Sequence, residues 1–131
     1  MSIFNNNAAE ILILLFFIVT YLFSVVEKLA DWKGTVAYYT DYFKKTIFQR
    51  MIPMLLINVL FFEIIALILL SIGLYFLVTE DSLIIAKVGL EISAFTLLFL
   101  LVGQRTVKDY PGAMNIAVYF ILNVIGLYIF N

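Results

Sequence analysis

The sequence contains no cysteine and no histidine. Without cysteine the chain can build no disulfide, thiolate metal site, iron–sulfur cluster or thiol relay of its own. Without histidine it lacks the commonest metal ligand, the usual haem ligand and the usual general base near pH 7. Charge is scarce as well. Only 13% of the 131 residues are Asp, Glu, Lys or Arg, and the formal net charge is −1; an ordinary soluble domain is about 25% charged. No global field of one sign is present to draw a nucleic acid. In place of these groups, 65% of the residues are apolar and 17% aromatic, with a mean hydropathy of +1.11. A small soluble domain leaves too much of its area exposed to hide so much apolar surface. The composition excludes a conventional soluble enzyme, a nucleic-acid binder and a disordered chain, and it points to the bilayer as solvent.

A membrane span needs about 20 mostly apolar residues. Such runs fall at about residues 8–26, 52–78, 83–102 and 113–130. The second opens on Pro53, which suits a first helical turn. The first has no basic region before it and no small-residue cleavage site after it, so it reads as a retained span. Backbone groups in lipid must be satisfied internally, and the alternation of a barrel strand is absent, so the runs are helices. The last two linkers are short, which makes antiparallel neighbours. The expected fold is an all-α integral membrane domain over residues 1–131, a four-transmembrane-helix up-down bundle.

The first linker is different. Over about residues 35–50, Val36, Tyr39, Phe43 and Ile47 share one helical face, while Asp41, Lys44, Lys45 and Gln49 share the other. This pattern predicts an amphipathic interfacial helix between helices 1 and 2 that either lies in the membrane surface or caps the bundle end. That linker also carries Lys28, Lys33, Lys44, Lys45 and Arg50, and the third linker carries Arg105 and Lys108. The N-terminal tail, the second linker and the C-terminus carry no Lys or Arg. The positive-inside rule therefore puts linkers one and three in the cytoplasm and both termini outside.

Candidate site residues follow from charges in apolar runs. Glu63 lies eleven residues past Ile52, near mid-bilayer at about 1.5 Å per residue. A carboxyl there faces the bundle interior, as a ligand anchor, a proton-titrating group or an interhelical packing bond. Lys87 and Glu91 share a helix face as a local ion pair, or Glu91 reaches Glu63. Near the inner mouth, Asp31-Trp32-Lys33-Gly34 and Asp109-Tyr110-Pro111-Gly112 echo each other. Their glycines are expected to end turns, and their aromatics to sit in the interface belt. Lys28, Asp31, Trp32, Gln104, Arg105 and Asp109 are either the lining of a polar pocket there or ordinary interface anchors. Asn123 is expected to hydrogen-bond another helix, and Ser71, Gly73 and Gly126 to let helices approach closely. No nucleophile–base set, metal-ligand cluster or phosphate loop is visible.

The pattern resembles the DoxX-like family of small bacterial membrane proteins. The resemblance rests on the four antiparallel spans and on Lys28 with an aromatic shortly after span one. It also rests on the long amphipathic linker ending at Pro53, on Glu63 and Gly73 in span two, and on Gly103-Gln104-Arg105 through Asp109-Tyr110-x-Gly112. It implies a multi-pass protein of the bacterial inner membrane, similar to membrane subunits associated with oxidoreductases, including the thiosulfate:quinone type. The expected role is a non-catalytic accessory subunit with no catalytic activity or metal of its own. Its partners would be membrane lipid and other membrane-protein subunits. The alternatives are a quinone- or lipid-binding subunit of an oxidoreductase, anchored at Glu63, and a small proton-coupled transporter.

Overall fold

The computed structural model of the chain describes residues 2–130, with side chains from Asn7 onward. Its elements of secondary structure are helices: α1 Ser2–Ala30, α2 Trp32–Tyr42, α3 Ile52–Glu80, α4 Ile84–Thr106 and α5 Tyr110–Ile129. A 3₁₀ turn, Gln49–Met51, precedes α3. Helical geometry in α1 is interrupted at Asn7. Four helical stretches are long and apolar enough to cross a membrane: Asn7–Ala30, Gln49–Glu80, Ile84–Thr106 and Tyr110–Ile129. Each expected run is present, and the helices continue past the apolar stretch at several ends. Gly103, expected in a linker, is inside α4.

The core is a set of helical seams. Along α3 the buried positions are Ile52, Leu56, Val59, Glu63, Ala66, Leu70, Gly73 and Leu77. Their steps alternate between four and three, the spacing that keeps one stripe of a helix against a neighbour. In α1, Leu14, Phe17 and Tyr21 are buried in the same rhythm, and Ser24 and Lys28 extend that line toward the helix end. In α4 the stripe is Ala86, Gly89, Leu90, Ser93, Thr96 and Leu97. α3 packs against α1 and α4, and α4 against α5.

Glycines set the tightest contacts. A Cβ at Gly73 would fall 2.5 Å from Ala86 Cα and 2.6 Å from its nitrogen. One at Gly89 would lie 3.1 Å from Leu70, and one at Gly126 would lie 3.1 Å from Ile13 and 3.2 Å from Leu90. Gly73 and Gly126 thus do what small residues do between apolar helices. Ser71 does not, because it is exposed.

The first linker departs from expectation. Helix α2 starts at Trp32 and stops at Tyr42, with Phe43 as its C-cap, so the helix does not run to residue 50. The reason is local. Thr46 Oγ1 donates to the Phe43 carbonyl at 2.7 Å and accepts from the Phe48 N–H at 3.2 Å, and Lys45 takes a left-handed φ of 66°. Side-chain bonds of this kind compete with helix continuation. Ile47 therefore leaves the apolar face and is 82% exposed.

The glycine echo also has another meaning. Asp31 and Asp109 are N-caps of α2 and α5, and each carboxylate accepts the N–H of the glycine three residues on, at 3.1 Å for Gly34 and 3.0 Å for Gly112. The motif begins helices instead of ending turns.

Candidate functional site

Two side-chain hydrogen bonds show which chain segments meet at each end. Asn7 Nδ2 donates to Asp81 Oδ1 at 3.1 Å, joining the start of α1 to the α3–α4 turn. Tyr42 OH donates to Asp109 Oδ2 at 2.5 Å, joining α2 to the α4–α5 turn. The linkers rich in Lys and Arg therefore share one end of the molecule.

At that end lies a cavity of about 410 Å³. Helix α2 contributes Tyr38, Tyr39 and Tyr42, and α1 contributes Ser24 and Lys28. Gln104 and Asp109 come from the α4–α5 turn region, and Leu56, Val59, Phe99 and Ile116 supply apolar wall. A small set of polar groups on a largely apolar wall is the usual composition of a small-molecule site.

Lys28 connects the cavity to the buried seam. Its Nζ lies 2.9 Å from Glu63 Oε1, with side-chain exposures of 13% and 2%, and it donates to Ser24 Oγ at 2.5 Å. Oε1 has no aligned hydrogen bond among the described residues, so charge attraction is the main tie. Pairing is what makes a buried carboxylate tolerable. From the sequence, Glu91, in the first half of α4, is the residue that could reach Glu63. The actual partner, Lys28, is the next residue on the α1 seam, and a lysine stem is long enough to follow the seam inward.

A second polar group lies on the same seams, closer to the middle of the helices. Tyr21 OH and Ser93 Oγ are 2.6 Å apart, and Asn123 Nδ2 donates to Ser93 Oγ at 2.8 Å. This ties α1, α4 and α5 together, as expected for Asn123. Toward the opposite end the core is apolar, built from Leu14, Phe17, Leu70, Leu77, Leu90 and Phe130.

Electrostatics at the mouth follow from these contacts. Burial pushes the Tyr39 hydroxyl up, and the nearby charges of Glu63 and Glu27 add to this. Tyr42 is also raised, by burial first and then by its bond to Asp109. Asp109 is lowered by accepting from Tyr42 and from the Gly112 N–H. At neutral pH the tyrosines are hydroxyl donors and Asp109 is an anion.

Of the residues expected to form an inner-mouth pocket, the structure brings together Lys28, Gln104 and Asp109. Asp31 is exposed and spends its carboxylate on the α2 cap. Trp32 is half-buried in the first turn of α2. Arg105 is exposed, its guanidinium 5.2 Å from the centre of the Tyr110 ring. None of these three lines the cavity. Glu91 lies far from it, in a shallow groove with Lys87, Val124, Leu127 and Tyr128. The site residues that sequence reasoning passed over are Ser24 and the tyrosines. Tyr39 reads in the sequence only as part of the apolar face of the first linker, expected to lie in the membrane surface or to cap the bundle end, and the spacing Tyr38-Tyr39-x-x-Tyr42 is the signal that could have found the others. Among the described residues no group of three or more His, Cys, Asp or Glu is placed to hold a metal ion. No family model matches the chain, and neither the curated proteins nor the solved structures compared with it give a match.

Proposed function

We propose that this chain is a DoxX-like multi-pass protein of the bacterial inner membrane, an up-down bundle with both termini outside. In this reading it is a non-catalytic subunit that binds the polar head of an amphipathic molecule, a quinone or a neutral lipid. The observation that carries the reading is the Lys28–Glu63 pair beside a tyrosine-lined cavity at the basic end.

The chemistry favours a neutral head. The Lys28 charge is balanced by Glu63, and Asp109 adds a negative charge at the rim. A phosphate finds no uncommitted cation in the lining, whereas a carbonyl oxygen finds the Lys28 ammonium and the Tyr38 and Tyr39 hydroxyls as donors, the Tyr42 hydroxyl being given to Asp109. Electron transfer to a bound quinone would rely on a partner's redox centre, because this chain has no cysteine or histidine to ligate a haem or an iron–sulfur cluster. The apolar core beyond Tyr21, Ser93 and Asn123 supports binding from one side over transport through the bundle.

The test is gentle purification from native membranes followed by native mass spectrometry and lipid extraction. The expected result is a retained quinone or neutral lipid that is lost in the Lys28→Met/Glu63→Met double variant. Unchanged ligand occupancy in a folded double variant sinks the site. A stoichiometric protein partner in the same preparation supports the accessory role, and a monomer without partner or ligand counts against the whole reading.

A further inference from the structure

Glu91 presents a different problem from Glu63. It is exposed on α4, seven residues after Ile84, about 10 Å along the helix at about 1.5 Å per residue. No ion pair among the described residues includes it. An ionisable side chain on the lipid face of a span is costly, and such groups normally face protein or water. Glu91 lines an open groove between α4 and α5, on the half of the bundle away from the cavity, with Lys87, Val124, Leu127 and Tyr128. Tyr128 is 82% exposed and offers a hydroxyl donor where Glu91 offers an acceptor.

We infer that a second copy of this chain covers this groove, about a two-fold axis running along the bundle. A two-fold interface places the same patch on itself, so a patch carrying both an acceptor and a donor can satisfy both at once. Glu91 of each copy then receives the Tyr128 hydroxyl of the other, over an apolar floor of Val124 and Leu127. The complementary group is already present in this chain, which selects a copy over an unrelated helix. The far side of the molecule lacks this feature. Ile57 and Phe61 on α3 and Phe23 on α1 are exposed and apolar, and the exposed Asn58 beside them carries no charge, so lipid covers this surface at less cost than a carboxylate.

The inference rests on the membrane-spanning reading, so the experiment separates the two. The chain has no cysteine, so single-cysteine variants give unambiguous crosslinks. Val124→Cys and Ile57→Cys, in the full-length protein in native membranes, are oxidised and run without reductant. Val124→Cys is expected to give a dimer and Ile57→Cys a monomer. Adding Glu91→Leu to Val124→Cys is expected to cut the dimer several-fold, and adding Tyr128→Phe to weaken it. No dimer at position 124, equal dimer at 57, crosslinks only to a different protein, or dimer undiminished by Glu91→Leu each overturns the inference. Alkaline carbonate extraction of the same membranes tests spanning: a chain that washes out defeats that reading, and a retained chain that does not crosslink defeats only the dimer.

Discussion

Lys28 Nζ lies 2.9 Å from Glu63 Oε1, joining residues 35 positions apart in the sequence on facing seams of α1 and α3. Removing one member leaves the other charge buried without its partner. Lys28→Met is therefore expected to destabilise the protein by about 3–5 kcal/mol, and replacing both members with methionine to restore most of that loss. Unfolding in detergent, followed by circular dichroism, measures both. A single variant as stable as the parent would show that the pair does not hold the seam.

At Gly73 two effects oppose each other. Alanine favours a helix over glycine by about 1 kcal/mol, but its Cβ would meet the Ala86 backbone rather than a movable side chain. Overpacking costs about 1–3 kcal/mol, so Gly73→Ala is expected to lower the melting temperature. A rise would mean that α3 and α4 part easily.

The Tyr42–Asp109 bond closes one edge of the cavity and depends on pH at both limits. Asp109 is lowered in the fold, so its contribution is present above the ordinary carboxylate range and is lost as pH falls through the folded value. Tyr42 is raised, so its contribution is present below the ordinary tyrosine value, about 10, and is lost as pH rises through its folded value. Tyr42→Phe is expected to remove the pH dependence of α2 protection in hydrogen exchange. A variant with the parent's profile would place the titrating groups elsewhere.

The buried Tyr21–Ser93–Asn123 group spans three helices. Hydrogen bonds between membrane helices contribute about 0.6 kcal/mol on average, up to about 1.7. Asn123→Ala also opens a small cavity, so a loss of about 1–3 kcal/mol is expected. Because Ser93 is the hub of the group, Ser93→Ala is expected to make a following Asn123→Ala less costly. Additive losses in that cycle would contradict a shared network.

Much of the fold was legible because a bilayer demands long apolar helices, and this requirement is written in runs of residues. The four helices long and apolar enough to cross a membrane, the packing role of Gly73 and Gly126, and the interhelical bond of Asn123 follow from such local patterns. The ends were harder to place. Lys45 and Thr46 stop α2 through backbone and side-chain geometry that amphipathic periodicity does not report. Asp31 and Asp109 look like interface charges until their glycine partners are seen as first-turn N–H donors. The Glu63 partner was missed because pairing was sought along one helix face or by depth. The alternating four-and-three steps along α3 put Glu63 on its seam, and the line Phe17, Tyr21, Ser24, Lys28 points α1 toward it. Following both registers would have suggested the pair, whereas the cavity depends on where α2 folds back, which no spacing states.

The close approach of α3 to α4 at Gly73 and Ala86 lies beside the turn that joins them, whereas the cavity lies at their other ends. Between these two places the helices stay packed, with buried stripes from Ile52 to Leu77 and from Ala86 to Leu97. An alanine at Gly73 would press on the Ala86 backbone and so bear on the α3–α4 seam, whose other end walls the cavity. Substitutions at Gly73 or Gly89 are therefore expected to change the shape of the cavity while every residue lining it stays the same.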